Sequence, residues 1–167
     1  MDSASVRPQT TIHGPLPPGP LAAHVARQAV AHMLASPRVS CPEGVAGDIL
    51  LIVSELVANA VRHAEGPYAL TVTVEPGRAG IAVSDASSIL PRPRSDGNPL
   101  ATSGRGLAIV RMLGASLYAS PSPCGKQVIA VITWRPRSSP EQSAPPSATN
   151  HPRRVEHLHA TPAPSRW

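Results

Sequence analysis

The stretch from Glu43 to Ala64 constrains this chain more than any other part of it. Its apolar residues Ile49, Ile52, Val53, Leu56, Ala60 and Val61 recur at helical spacing and form one face. The negative charge of Glu43 suits a first turn, and Gly66 and Pro67 stand just beyond the far end. A helix this long with one continuous apolar face needs a broad partner to cover it. That partner is legible immediately downstream. Tyr68 to Glu75 and Ala79 to Asp85 are Val-, Thr- and Ile-rich runs joined by Pro76, Gly77 and Arg78, which predicts adjacent antiparallel strands.

The remaining elements fit around this pair. Leu21 to Ala35 places Leu21, Val25, Ala29, Met33 and Leu34 on one side, an amphipathic helix that Pro37 stops. Gly106 to Gly114 reads as a short helix, Ser116 to Ala119 as a short strand, and Lys126 to Trp134 as a final alternating strand. Between Ala86 and Ser103 lie three prolines, a glycine and an asparagine with little apolar content, which predicts a long irregular loop of the kind that serves as a lid. The order predicts a two-layer α/β sandwich. With no Phe and only 2% aromatic residues, its core has to be built from Ala, Val, Ile and Leu. Met1 to Pro20 carries five prolines and Arg135 to Trp167 mixes Pro, Ser, Ala, Arg and His without apolar periodicity, so both ends read as unstructured.

Several function classes are disfavoured. The formal charge of +5 suggests nucleic acid, but Arg135, Arg137, Arg153, Arg154 and Arg166 oppose only Glu141 and Glu156, so +3 of it belongs to the tail. Four scattered Trp and Tyr residues give no stacking platform, and direct nucleic-acid binding is not expected. The tail residues His151, Arg153, Arg154, His157 and His159 could bind metal or nucleic acid, but their composition is that of a disordered segment. Cys41 and Cys124 match neither a disulfide framework nor a zinc spacing and read as reduced thiols. The run Ile49 to Val61 is interrupted by Ser54, Glu55 and Asn59 and falls short of a membrane span. No basic start followed by an apolar stretch is visible, and the expectation is a cytoplasmic protein without membrane contact.

Three features carry chemistry. On the long helix Glu55, Asn59, Arg62 and His63 form a polar stripe, which is either a solvated face with a Glu55 to Arg62 charge pair or the wall of a site. Asp85 ends a predicted strand, where a carboxylate either closes a turn or accepts a hydrogen bond from an exocyclic amine. Ser103-Gly104-Arg105-Gly106-Leu107 joins the long loop to the next helix, where glycines either serve the geometry of the turn or let backbone N–H groups approach a phosphate. Only their combination, in this order, is informative.

That combination carries a resemblance. Glu55-Leu-Val-Ala-Asn59-Ala60-Val-Arg-His63, then Asp85-Ala-Ser87, then Gly104-Arg105-Gly106-Leu107 resemble the N, G1 and G2 boxes of the Bergerat-fold ATPases, which include gyrase, the histidine kinases and MutL. The likeness is strongest to the small anti-sigma-factor serine/threonine kinases. It implies a Bergerat ATP-binding fold, a mixed and mostly antiparallel sheet with helices packed on one face. The domain would span residues 10 to 134, with residues 1 to 9 and 135 to 167 as disordered ends. The cofactors implied are ATP and Mg2+. Asn59 would coordinate the metal ion and Glu55 would be the catalytic general base. Asp85 would bind the adenine amine, with Ser87 beside it. Gly104, Arg105, Gly106 and Leu107 would surround the phosphates under a lid of residues 88 to 103. His63 matches the last position of its motif, as either a pocket residue or a buried helical histidine.

The chain departs from the family pattern at two places. Ser87 and Ser88 stand where further glycines are usual, and Gly125-Lys126-Gln127 stands where a threonine often follows the glycine pair. Lys126, the only lysine, reads as a surface residue at the start of a strand. The implied function is an ATP-dependent kinase that phosphorylates an antagonist protein and sequesters a sigma factor, with a homodimer as the implied assembly. The alternative is a nucleotide-gated binding module without phosphotransfer.

Overall fold

A computed structural model describes residues 9–89, 105–122 and 124–135. In chain order the elements are β1 (Thr10–Leu16), α1 (Leu21–Leu34), α2 (Glu43–His63), β2 (Tyr68–Glu75), β3 (Arg78–Asp85), α3 (Arg105–Met112), β4 (Ser116–Ser122) and β5 (Gly125–Thr133). The strands form one five-stranded sheet in the order β1-β2-β3-β5-β4. Every neighbouring pair is antiparallel, so no parallel ladder accompanies the antiparallel ones among the described residues.

Alternation decides which face of the sheet is covered. In β2 the residues Tyr68, Leu70, Val72 and Val74 are buried while their neighbours are half-buried, and β3 and β5 repeat the pattern. The helices pack on this apolar face. Ile49, Ile52, Val53, Leu56, Val57 and Ala60 of α2 are buried against it, and Ala22, Ala26, Val30 and Met33 of α1 join the same core. Each fully buried Val or Ile contributes roughly 1.5–3 kcal/mol by removal from water. By length and hydropathy α2 is apolar enough to cross a membrane, but the same residues that make it so line this core.

The first strand corrects the reading of Met1 to Pro20 as unstructured. Thr10 to Leu16 pairs with β2 from Thr10 opposite Val74 to Leu16 opposite Tyr68. Its signal was the alternation that puts Ile12 and Leu16 on the core side, obscured by Pro15. A proline is tolerated there because β1 is an edge strand, with no neighbour on its other side among the described residues. On the uncovered face His13 Nδ1 meets Thr71 Oγ1 at 2.8 Å and Thr11 Oγ1 meets Thr73 Oγ1 at 3.0 Å. The hairpin between β2 and β3 closes through Pro76 and Gly77, whose φ of 83° only glycine adopts without strain. The short strand expected at Ser116 to Ala119 extends to Ser122.

Candidate nucleotide-binding site

Periodicity puts Glu55 and Asn59 one turn apart on the same side of α2, and both are half-buried. Neither stands on a freely solvated face. The start of α3 lies directly against Glu55: a Cβ added to Gly106 would fall on the Glu55 carboxylate oxygen and lie 3.4 Å from Glu55 Cδ. Glycine at 106 lets the carboxylate approach this closely, and its backbone conformation is not one that favours glycine. The two motifs, far apart in sequence, form one wall, with the acidic group at the end of α3 where a helix carries partial positive charge. Leu107, the next residue, packs on the core. Arg105 opens α3, but its side chain, Gly104 and residues 90–103 of the expected lid lie outside the described residues.

Asp85 ends β3 on the inward face and is only 4% exposed. Its Oδ1 accepts two hydrogen bonds, from the Ser87 N–H at 2.9 Å and from Lys126 Nζ at 2.8 Å. The first closes the turn at the end of the strand. The second corrects the expectation for Lys126. Asp85 and Lys126 are opposite one another in the β3 and β5 ladder, and the lysine is 3% exposed. The alternation of β5 puts Lys126 in phase with Val128, Ala130 and Ile132, so its side chain enters the interior. Gly125 anchors this rung: its φ is 144°, and a Cβ there would collide with the Asp85 carbonyl oxygen and lie 2.7 Å from Ala86.

The end of α2 comes to the same corner of the sheet. The Ala86 N–H donates to the Glu65 carbonyl oxygen at 3.4 Å. Arg62, His63, Ala64, Glu65, Gly66, Ala86 and Ser87 line a concavity of about 500 Å3. His63 is exposed, which removes the buried-histidine reading, and the concavity brings it together with Ser87. A second concavity of about 520 Å3, lined by His24, Arg27, Gln28 and Ser54 among others, lies between α1 and α2 and contains none of the motif residues. Cys124 is exposed and Cys41 half-buried, with burial pushing the Cys41 thiol up. No group of three or more His, Cys, Asp or Glu side chains that could hold a metal ion occurs among the described residues.

The donor set fits a nucleotide with a hard cation. Asp85 is an acceptor at a strand end, Gly106 leaves room for the Glu55 carboxylate at the start of α3, and Asn59 offers a carboxamide oxygen of the kind magnesium takes alongside phosphates. These features define an α/β domain with Glu55 against Gly106 on one wall and the buried Asp85–Lys126 pair at the strand ends. The family model for the histidine kinase-like ATPase domain matches residues 16–132, and the chain belongs to that family. As such it has a histidine kinase-like ATPase domain, which supports ATP binding.

Among solved structures, the histidine kinase domain of the blue-light activated histidine kinase EL346 from Erythrobacter litoralis is 23% identical, with a TM-score of 0.44 over 67% of this chain and 59% of that one. A further structure of that blue-light activated histidine kinase is 23% identical, with a TM-score of 0.45 over 70% of this chain and 42% of that one. The chain thus spans less than two thirds of either of these structures. No curated protein matches it.

Proposed function

We propose that this protein is a cytoplasmic ATP-dependent serine/threonine kinase of the anti-sigma-factor type, which phosphorylates an antagonist protein and binds a sigma factor. The observation that carries the reading is the pairing of Glu55 with Gly106, which sets a carboxylate at the start of α3 one helical turn from the Asn59 carboxamide. The similarity of the Glu55 to His63, Asp85 to Ser87 and Gly104 to Leu107 segments to those kinases supports the finer assignment.

Magnesium-ATP supplies the transferable phosphoryl group when bound. Asn59 would hold the metal ion through its carboxamide oxygen, and Asp85 would accept from the adenine amine. Glu55 would accept the proton of the attacking serine hydroxyl as that oxygen bonds to the γ-phosphorus and the bond to the bridging oxygen breaks to release ADP, which is general-base catalysis. Half-burial of Glu55 behind α3 limits the water that competes as acceptor.

The test pairs calorimetric titration of ATP in magnesium with transfer of labelled phosphate to an antagonist protein. Glu55→Gln should retain ATP binding and lower transfer by about 10²–10⁴-fold, the usual range for a lost general base. Asn59→Ala should abolish the magnesium dependence of binding. Unchanged transfer in Glu55→Gln would remove the assigned role of the carboxylate. Nucleotide binding without transfer to any antagonist would leave a nucleotide-gated binding module instead of a kinase.

A further inference from the structure

The Asp85–Lys126 pair is not explained by packing. The other inward rungs of the same ladder, Ala79 with Ile132, Ile81 with Ala130 and Val83 with Val128, are aliphatic. An apolar pair would fill the last rung with no charge to desolvate, and such replacements are often neutral or stabilising. An ammonium also has three N–H donors. Among the described residues one of them is directed at Asp85 Oδ1, at 2.8 Å, and Lys126 is 3% exposed. A buried cation with donors to spare is costly until an acceptor meets them.

The geometry points to Lys126 as a specificity-determining residue for the base, donating to the ring nitrogen next to the amine that Asp85 accepts. This rests on reading Asp85 as the base site. Adenine presents an amine donor and the N1 acceptor side by side on one edge. The chain presents a carboxylate acceptor and an ammonium donor within hydrogen-bond distance of each other, at the strand ends beside the concavity that Ala86 and Ser87 border. Gly125 packs closely against the Asp85 and Ala86 backbone, which fixes the root of the lysine side chain beside the carboxylate. The flexible four-carbon stem lets the ammonium turn toward the base while Asp85 remains partly neutralised.

The test uses ligand analogues first, so that it does not depend on a variant folding. Calorimetric titration of the parent protein should give an affinity for 1-deaza-ATP roughly tenfold to hundredfold below that for ATP, the usual effect of losing a hydrogen bond to a charged group. The analogue lacking N7, 7-deaza-ATP, should bind as ATP does. Lys126→Thr, checked for folding by thermal melting, should bind ATP and 1-deaza-ATP about equally. Equal affinity of the parent for ATP and 1-deaza-ATP, an equal loss with 7-deaza-ATP, or discrimination that survives in Lys126→Thr would overturn the role of Lys126 while leaving the ATP site standing. A lower melting temperature in Lys126→Thr with unchanged discrimination would make the pair purely structural. No binding of ATP by the parent would overturn the site and this role together.

Discussion

Three rungs of the β3 and β5 ladder and the fourth, Asp85 with Lys126, share one face, one register and nearly complete burial, yet they are built from opposite chemistry. The aliphatic rungs hold α2 on the sheet by removing apolar surface from water. The ionic rung brings two charges into the same interior, where their attraction has to offset the loss of hydration. Its position explains the exception: it lies where β3 ends, next to Ser87 and the concavity at the end of α2. Apolar burial is concentrated in the middle of the ladder and charge at its end, where the proposed base site lies.

The comparison can be broken most directly at the lysine. Lys126→Met leaves the Asp85 carboxylate buried without its partner and should destabilise the fold by about 3–5 kcal/mol, read as a lower denaturant midpoint. Ile81→Ala, two inward rungs back from Asp85 on the same face, opens a cavity and should lose about 2–5 kcal/mol while nucleotide affinity of the folded fraction is kept. If Lys126→Met cost no stability at all, the pair would not be a buried ion pair in solution. Converting the rung to an apolar one, with Asp85→Leu and Lys126→Met together, should return stability to within about 1 kcal/mol of the parent or above it. That double variant should no longer bind ATP, which separates folding from recognition in a single protein.

The smallest expected effect on stability belongs to the other wall. Gly106→Ala meets the far end of the Glu55 side chain, which can swing aside, so the fold should lose less than about 1 kcal/mol. Phosphate transfer should fall nonetheless, because the carboxylate is displaced from the start of α3. Gly125→Ala is the contrast: it meets backbone at Asp85 and Ala86 and adopts a left-handed φ, so melting temperature and ATP affinity should fall together. Equal melting temperatures for the two variants would contradict the difference between a side-chain and a backbone contact.

Much of this was legible before the fold was seen. The α2 face, the β2 and β3 hairpin and the short α3 follow from spacing and from Gly and Pro punctuation, and their observed bounds lie close to those expected. Glu55, Asn59, Asp85 and Gly106 were picked out by motif order, and the structure adds the direct approach of Gly106 to Glu55. Lys126 was misplaced because a strand-start lysine in isolation favours the surface, and only its phase with Val128 and its partner across the ladder put it inside. β1 is concealed in the sequence because Pro15 speaks against a strand and an edge position cannot be read from local spacing.

Local periodicity depends on neighbours a few residues away, and so the sequence by itself determined the helices, the central hairpin and the alternating inward face of the sheet. The tertiary structure alone decided which strand lies at the edge, which carboxylate receives the single lysine, and which glycine has to make room for Glu55. Those outcomes depend on residues distant in sequence, as Asp85 and Lys126 are, and on the exclusion of water from between them.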